Sequence, residues 1–415
     1  MRRIALAASV ALIVAATLVP FAALQADRAP AVWCLACEGL WLTDAISNVV
    51  LFIPLGVSLS LLGVTWTRIT VLSLVASLCI EYLQSLGLPP SRSAALADVV
   101  TNGLGGLAGV WLLRAWSLAW RSSHRAAARL SLIWAVGAAL VCGATSAALG
   151  SRTRGHGDVR YAHSPLPFTP GFGWFGGLAD SAAVNGFVTT HDGTGPIMVV
   201  ASSEPSRVAM TVTVRGRQAG TALKPMVFVH RAGDSTAIAF VGERDLAAEL
   251  VVTRRAWDWG LAMPSLTLPG AFATRTLDDP RPIHFTATSS IDRLELAATA
   301  VHFNGHRTLW LTPTLGWAMI QTLITIDSPL AIVARVGWLA LLMVPIAWWG
   351  ARAGARWWVV LGTVVPCLVL VMATLPRITG VAPVVAHDWG IIAALFVGAT
   401  LVSRWLLDRQ TSHLP

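Results

Sequence analysis

The sequence predicts a polytopic α-helical membrane protein of about eight transmembrane helices with an inserted all-β sandwich domain. Three observations predict this fold class. Of the 415 residues, 55% are hydrophobic and only 12% are charged, whereas soluble domains carry about 25% charged residues. Long apolar runs occupy both ends of the chain. Between them, from Gly150 to about Asp327, short alternating runs appear and Gly, Pro, Thr, Asp and Asn become common.

Five spans fit the first part of the chain, because a transmembrane helix needs about 20 apolar residues. The apolar run from Ile4 to Leu24 exceeds the 7–15 residues typical of a signal-peptide core, so we expect it to remain as the first span. The next four spans are expected at residues 44–64, 68–86, 96–116 and 130–149. The loop from Arg114 to Arg129 is the most basic short loop and should be cytoplasmic.

Three further spans fit the end of the chain, at residues 331–349, 357–375 and 389–407. With eight spans and a cytoplasmic N-terminus, the C-terminus is also cytoplasmic and the β domain is extracytoplasmic. The formal net charge is +9. It does not indicate nucleic-acid binding, because the arginines lie mostly in short loops between apolar helices, where they set the topology.

The middle segment predicts its own β domain. Short β-prone runs are separated by turn signals such as Ala232-Gly-Asp234 and Asn304-Gly305, which is typical of a sandwich or barrel. The chain thus divides into a five-helix domain at 1–150, a β sandwich at 151–327 and a three-helix segment at 328–415. We expect Leu309 to Ile326 to form the last strand and an interfacial helix. The predicted strands are 208–214, 226–230, 237–241, 249–253, 283–287, 294–298 and 300–303.

The second, third and fourth spans, with the loop between the last two, carry an unusual set of polar residues. Their spacing of three or four places each pair on one helix face. With the predicted topology, all of them fall at one level, in the outer third of the membrane. The set consists of Asp44, Asn48, Glu81, Gln84, Arg92, Asp98 and Asn102.

Two interpretations of this polar set remain open. The residues could hold the helices together, since polar pairs stabilise membrane bundles by about 0.6–2 kcal/mol each. Alternatively they form a binding or catalytic pocket, which the cost of ionisable groups inside a membrane favours. In a pocket, Arg92 could hold a phosphate, and Glu81 could act as a base, with Asp98 as a second catalytic candidate.

Two other motifs have simpler interpretations. Gly105-x-x-x-Gly109 suits close helix packing. Cys34 and Cys37 form a C-x-x-C, for which a local disulfide is the favoured interpretation, because the βαβ context of a redox motif is absent. Two cysteines alone are weak evidence for zinc. No nucleotide, dinucleotide or metalloprotease motif occurs, so the sequence predicts no metal and no cofactor.

Residues 40–116 resemble the VanZ-like family. The resemblance is carried by the order and spacing of Asn48, Phe52, Pro54, Gly56, Glu81, Gln84, Arg92, Asp98, Asn102 and the following glycines. It implies a multi-pass protein of the bacterial plasma membrane with a role in the cell envelope. The namesake of the family is associated with low-level resistance to the glycopeptide teicoplanin, but the resemblance implies no known reaction.

The β segment resembles concanavalin A-like or laminin-G-like jelly rolls, with a β sandwich of another kind as the alternative. Trp174, Trp257 and Trp259 could stack on sugar rings or lie in the core. The first hypothesis is therefore a VanZ-like anchor for a lectin-like domain that binds cell-wall glycan or a lipid-linked glycan. The alternative is a membrane enzyme acting on a lipid-linked envelope precursor through Glu81, Arg92 and Asp98. Besides these, the lipid bilayer is the expected partner.

Overall fold

A computed structural model of the chain describes most of its residues. These are residues 1–18, 33–35, 40–88, 94–120, 123–151, 159–163, 175–190, 198–200, 207–217, 223–231, 237–273, 275–276, 279–322, 324–326, 328–354 and 357–412. In sequence order, long helices precede and follow a β domain, as the composition predicts.

The helices of the first part are α1 (Arg2–Leu18), α2 (Trp41–Leu61), α3 (Trp66–Ser85), α4 (Leu96–Trp120) and α5 (His124–Leu149). The short helices α6 (Arg255–Asp258) and α7 (Gly316–Met319) follow within and after the β domain. The last part contains α8 (Pro329–Arg352), α9 (Trp357–Val369), a π-helical turn (Leu370–Thr374), α10 (Leu375–Thr379) and α11 (Ala386–Ser412).

Among the described residues, six helices are long and apolar enough to cross a membrane: α2, α3, α4, α5, α8 and α11. The predicted count of eight is not confirmed. The first predicted span is described only as far as Leu18. At the seventh, α9, the π-helical turn and α10 follow one another from Trp357 to Thr379, but they are not among these six helices. The coarser prediction, a membrane protein with several spans and a β domain, is confirmed.

The long helices form two bundles with separate apolar cores. The core of α1 to α4 contains Phe52, Ile69 and Val110. The core of α5 and α8 to α11 contains Leu339 and Met343. Within the described part of the chain, these two cores share no residue. Each bundle therefore buries its apolar side chains without the other.

Helices α2 and α4 touch through their backbones. A Cβ atom on Gly105 would overlap the carbonyl oxygen of Val49, and one on Gly109 would overlap that of Ile53. A Cβ atom on Gly56 would overlap the carbonyl oxygen of Gly106. Only glycine allows membrane helices to approach this closely. Gly105 and Gly109 therefore form the helix-packing surface of α4 against α2 that the G-x-x-x-G spacing predicts.

The β domain consists of two six-stranded antiparallel sheets, and we number its strands in chain order. The first sheet has the order β4-β1-β6-β7-β8-β9, and the second has the order β12-β11-β10-β5-β2-β3. The strands are β1 (Val159–His163), β2 (Leu178–Val184), β3 (Phe187–Thr190), β4 (Met198–Val200), β5 (Val208–Arg215), β6 (Lys224–Arg231), β7 (Ala237–Arg244), β8 (Ala247–Val252), β9 (Leu266–Leu268), β10 (Ile283–Ser289), β11 (Arg293–Ala300) and β12 (Phe303–Trp310).

Alternation of apolar and polar residues creates the core between these sheets. In β5, for example, every second side chain is buried, beginning with Val208, because side chains of a strand point to opposite faces in turn. The hairpin of β11 and β12 is closed by the pairing of Ala300 with Phe303. The predicted strand at 300–303 and the predicted turn at Asn304-Gly305 are therefore both wrong. Residues 301 and 302 form the turn, and pairing with β11 places Asn304 and Gly305 in β12.

The sandwich sits directly on the ends of the helices. Its core continues into Leu149 at the end of α5, and into Leu315 and Met319 just after β12. Leu309 and Trp310 end the last strand, and the short helical segments Pro313–Leu315 and Gly316–Met319 follow it. The interfacial position expected for this helical part stays a prediction. We call the membrane side that carries the β domain the β side. Helices α2, α4, α8 and α11 begin there, and α3 and α5 end there.

The first turn of α2 is joined to the β domain by hydrogen bonds. The backbone N–H groups of Leu42 and Thr43 both donate to the carbonyl oxygen of Gly260, at 3.0 Å each. The Thr43 hydroxyl donates to the carbonyl oxygen of Met319 (2.7 Å) and accepts from the backbone N–H of Ala262 (2.7 Å). These bonds satisfy donors that a helix start leaves open, so the β domain caps α2.

A buried ion pair holds the loop before β10. Asp279 accepts from the Arg281 guanidinium at 2.6 and 2.9 Å and lies 3.3 Å from Arg275. The Arg281 hydrogen bonds hold the pKa of the Asp279 carboxyl well below its usual range. A depressed pKa stabilises the fold above the unfolded pKa of about 4, and this contribution is lost as the pH falls through the lower folded value.

We therefore expect Asp279→Asn to lower the melting temperature of the β domain at pH 7. The difference from the wild-type protein should shrink as the pH falls below about 4. Thermal unfolding of the full chain in detergent, followed by circular dichroism, measures both effects. Asp245→Asn is the matched control, because Asp245 is exposed in the β7–β8 turn at φ 55°, which asparagine also tolerates. A pH-independent difference for Asp279→Asn would contradict this account.

Gly109→Ala should weaken the helical part, because the new methyl group forces α2 and α4 apart. We expect a loss of about 1–3 kcal/mol, as for other overpacked sites, measured by unfolding in mixed micelles. Gly137→Ala in α5 is the control, because nothing lies within 4 Å of a Cβ atom there. Equal effects of both substitutions would show that helix propensity, and not the α2–α4 contact, sets the result.

Candidate functional site

The predicted polar residues meet at the β-side ends of α2, α3 and α4. Val49 of α2 lies opposite Gly105 of α4, and Ile53 lies opposite Gly109, so the two helices run in the same direction. Towards the start of α2, Asp44 is therefore level with residues 98–102 of α4. The antiparallel pair α3 and α4 brings Ser77 to Asn102, and one turn further Glu81 to Ala95. Register alone therefore places the acidic residues of three helices at one depth.

Asn102 lies at the centre of a polar seam between α3 and α4. Its amide nitrogen donates to the Ser77 hydroxyl at 2.8 Å, and that hydroxyl is 3.4 Å from the carbonyl oxygen of Asp98. Ser77 is fully buried and Asn102 is 2% exposed. Sequence reasoning missed Ser77, because a serine in an apolar run carries little signal by itself. Its spacing of four from Glu81 was the available clue.

Glu81 is buried and caps the start of α4. Its Oε2 atom accepts a hydrogen bond of 2.8 Å from the backbone N–H of Ala95. The next two N–H groups, of Leu96 and Ala97, donate to the carbonyl oxygens of Cys34 and Leu35. A carboxylate at a helix N-terminus is stabilised by the open N–H groups and the helix dipole. Glu81 thus has a structural partner, whether or not it also binds a ligand.

Two buried polar atoms in the seam lack a hydrogen-bond partner. These are the Ser73 hydroxyl and the Oδ1 atom of Asn102. Ser73 is fully buried, one helical turn before Ser77 in α3 and so farther from the β side, and it packs against Gly106. An unsatisfied buried polar group costs about 1–3 kcal/mol. Each such group in a native structure calls for an explanation, such as a bound water or ligand.

The other predicted residues occupy the same end of the bundle. Gln84 is buried in the last turn of α3, and Asp44, Asn48 and Asp98 are half-buried. Asp44, Glu81 and Asp98 are each engaged in polar or charge interactions. Arg92 lies outside the described residues. Carboxylates at this depth could accept hydrogen bonds from a polar head group, and amides and hydroxyls could both donate and accept them.

Metal binding has no support in the described residues, where no group of three or more His, Cys, Asp or Glu side chains could hold an ion. Cys34 is disulfide-bonded, while Cys79 and Cys142 are free. Cys37 lies outside the described residues, so the Cys34–Cys37 pairing stays a prediction.

A second polar cluster joins the β domain to the C-terminal helices, and sequence reasoning missed it. Asp388, in the first turn of α11, is completely buried. It accepts from the Thr314 hydroxyl at 2.6 Å and from Arg335 of α8 at 2.8 Å. The signal was Arg335 inside an apolar span, because a buried charge requires a partner of opposite sign. The ion pair of Arg335 with Asp388 and the hydrogen bond from Thr314 thus join α8 and α11 to the segment that follows β12.

The solvent-facing side of the second sheet is the other candidate surface. It is a grid of short polar side chains from β5, β10, β11 and β12, which we call the polar face. Its polar members other than arginine are Thr211, Thr213, His284, Thr286, Thr288, Glu295, Thr299, Asn304, His306 and Thr308. Arg215 and Arg293 lie on the same face and pair with Asp180 and Glu295.

Cross-strand pairing arranges the polar face in rows. In the first row, Thr213, His284, Thr299 and Asn304 lie opposite one another on successive strands. The Thr213 hydroxyl and the Nδ1 atom of His284 are 2.9 Å apart. Four neighbouring strands at about 4.8 Å spacing give a row roughly 14 Å long. The face is therefore wide enough for an oligosaccharide.

The tryptophans named from the sequence lie elsewhere. Trp257 and Trp259 are 36% and 38% exposed. Both lie just before Gly260 in the chain, and Gly260 contacts the first turn of α2. They belong to neither the sandwich core nor the polar face. Trp174 lies outside the described residues.

Comparison with known proteins gives one family. Residues 4–118 match the family model described as VanZ/LLP1, a segment that includes nearly all of α1 to α4. No curated protein and no solved structure gives a significant match to the chain. The match contains every described member of the polar set in α2, α3 and α4. The N-terminal segment of this membrane protein, residues 4–118, is therefore VanZ-like.

Proposed function

We propose that this protein is a membrane-anchored glycan-binding protein of the bacterial cell envelope, and that its β domain carries the glycan site. The polar face is the observation that supports this function. The proposal includes a concanavalin A-like or laminin-G-like jelly-roll form of the sandwich, for which the two six-stranded antiparallel sheets are the support.

The composition of the polar face suits a neutral, hydroxyl-rich ligand. A threonine hydroxyl both donates and accepts, as do the amide of Asn304 and the imidazoles of His284 and His306. Short side chains also lose little conformational entropy when a ligand orders them, in contrast to lysine or glutamate. Glu295 is the one acidic member, and Arg293 pairs with it at 2.7 Å. The face is thus close to neutral.

The orientation of the chain supports an extracytoplasmic β domain. Arginines concentrate at the helix ends opposite the β side, and positive residues favour the cytoplasm. We therefore place the N- and C-termini in the cytoplasm and the β domain outside the plasma membrane. These arginines are Arg2, Arg3, Arg68, Arg114, Arg125, Arg129, Arg352, Arg404 and Arg409.

An effect on glycopeptide susceptibility belongs to the same proposal. Glycopeptides of the teicoplanin type act on cell-wall precursors outside the plasma membrane. A protein that binds envelope glycan at that surface would compete with them or alter the supply of their target. The VanZ-like segment supports this part of the proposal through the family association, and not through a known reaction.

Thr213→Val combined with Thr286→Val should weaken glycan binding at least tenfold. Each substitution removes one hydroxyl from the polar face at nearly constant shape, and a net hydrogen bond contributes about 1 kcal/mol. Binding of the full chain in nanodiscs to soluble cell-wall glycan fragments, measured by calorimetry, tests this expectation.

The control is Thr276→Val, the same change at an exposed loop position away from the polar face. It should bind as the wild-type protein does. If the wild-type chain binds no fragment across a glycan array, the proposed function is wrong. If the control loses as much binding as the double variant, the polar face is not the site.

A second candidate function lies in the helices: binding of a lipid-linked envelope precursor at the β-side ends of α2 to α4, with or without catalysis. The unpartnered Ser73 hydroxyl and Asn102 Oδ1 atom favour it, since a polar head group would satisfy both. In a catalytic version, Glu81 would act as a base and Asp98 as its acidic neighbour, with Arg92 on the phosphate. Carboxylate positions alone do not define a reaction.

Ser73→Ala separates a ligand site from structural support. Removing an unsatisfied hydroxyl should leave the melting temperature unchanged or raise it, whereas a ligand site would lose affinity. We expect less envelope lipid to remain bound in native mass spectrometry of the purified chain. Glu81→Gln should reduce it further.

Ser131→Ala in α5 is the matched control for Ser73→Ala. The Ser131 hydroxyl is buried and donates to the carbonyl oxygen of Ile346 at 2.8 Å, so its loss should lower stability but not lipid retention. If Ser73→Ala and Glu81→Gln both leave lipid retention and complementation of an envelope phenotype unchanged, the polar cluster has only a helix-packing role.

A further inference from the structure

The base of the β domain contains a loop that runs beside a membrane helix. This loop, Arg254–Met263, which we call the rim loop, follows β8 and contains α6. Its Gly260 carbonyl oxygen accepts from Leu42 and Thr43 in the first turn of α2. Because α2 is long and apolar enough to span the membrane, its first turn marks the boundary of the bilayer. The rim loop therefore lies at that boundary.

Partly exposed indole rings gather at this level. Trp41, at the start of α2, is 52% exposed, and a Cβ atom on Gly260 would overlap its ring. Trp257 and Trp259 of the rim loop are 36% and 38% exposed. A tryptophan ring is large and apolar with one polar N–H group, and it concentrates where lipid meets water. Three such rings at one helix end match that environment.

The same edge of the domain carries cations in fixed positions. Arg255 donates from its backbone N–H to the carbonyl oxygen of Gly150, and from Nε to that of Ser151, at the end of α5. At the neighbouring end of β12, Arg293, which also pairs with Glu295 and Asp292, lies over the ring of Trp310 at 5.3 Å. Arginine beside tryptophan suits lipid head groups, which present phosphates above an apolar layer.

The rim loop is held rigidly, so its tryptophans project from a fixed base. The Arg254 side chain is buried and donates to the Ser289 hydroxyl (2.9 Å) and to the carbonyl oxygen of Ser290 (2.7 Å). Ala256 is completely buried in the sandwich core. Moving the indole rings away from the boundary would therefore break the Arg254 hydrogen bonds and expose Ala256.

We infer that the rim loop is a membrane-contact surface, with Trp257 and Trp259 inserted among the phospholipid head groups of the β-side leaflet. The β domain is then seated on the bilayer and does not stand clear of it. This inference does not depend on the proposed glycan function. It assigns the two tryptophans to lipid, where the sequence left sugar stacking or the core open.

Site-directed spin labelling in lipid nanodiscs of phosphatidylethanolamine and phosphatidylglycerol tests the inference. A nitroxide is attached to Trp257→Cys or, separately, to Trp259→Cys in the full chain, after Cys79, Cys142 and Cys367 are changed to alanine. Collision rates with oxygen and with a water-soluble nickel chelate are then compared. We expect a ratio of oxygen to nickel collisions several-fold higher than in water, and similar to that of a label at Trp41→Cys.

Labels at Leu246→Cys and Val301→Cys are the controls. Both residues are exposed and apolar, at 44% and 69%, and lie in turns at the opposite end of the strands, so they should report water. If the labels at both 257 and 259 also report water, the inference is wrong. Immobilisation of these labels by added cell-wall glycan, without contact with lipid, would overturn it in favour of a sugar site. Two independent label positions keep the test valid if one variant fails to fold.

Discussion

The structure depends on how membrane helices begin. A helix start leaves up to four backbone N–H groups without partners, and lipid offers none. In this protein other elements supply the acceptors on the β side. Gly260 of the β domain caps α2, while Glu81 of α3, together with Cys34 and Leu35, caps α4. The two helices that touch through their glycines are thus fixed at the same end by partners distant in sequence.

This constraint changes the interpretation of the polar set. Glu81 is needed at its position for structural reasons alone, because its carboxylate accepts from Ala95. The unsatisfied atoms of Ser73 and Asn102 have no such structural benefit. The second candidate function therefore rests on a serine and an amide, and not on the carboxylates that the sequence analysis emphasised. Glu81 could serve both purposes, since a cap also fixes the geometry of whatever binds beside it.

Much of the fold could be predicted from the sequence, because hydrophobic runs and alternation act locally. The helices α2 to α5, α8 and α11 lie close to their predicted positions, and β5, β6, β7, β8, β10 and β11 contain predicted runs. The VanZ-like recognition is confirmed. The strands β1 to β4 and β9 carried weaker patterns. Asn304-Gly305 resembled a turn, yet pairing with β11 places it in a strand, because tertiary pairing outweighs a local turn preference.

Long-range contacts were beyond sequence reasoning. The hydroxyl of Thr43 meets Met319 across most of the chain, and Arg335 finds Asp388 on another helix. No local period encodes such partners. Thr43 and Asp388 looked like ordinary members of their segments, and Arg335, although unusual in an apolar span, did not identify its partner. Only the fold reveals that these residues hold the three parts of the chain together.

The separate cores of the two helical bundles have a consequence for biogenesis. Helices α1 to α4 leave the ribosome first and can complete their own core before α5 is inserted. The cap on α2, however, comes from Gly260, more than two hundred residues later in the chain. The first turn of α2 must therefore rely on water at the membrane surface until the β domain has been synthesised and has folded. Completion of an early membrane segment thus waits for the folding of a β domain that is made later.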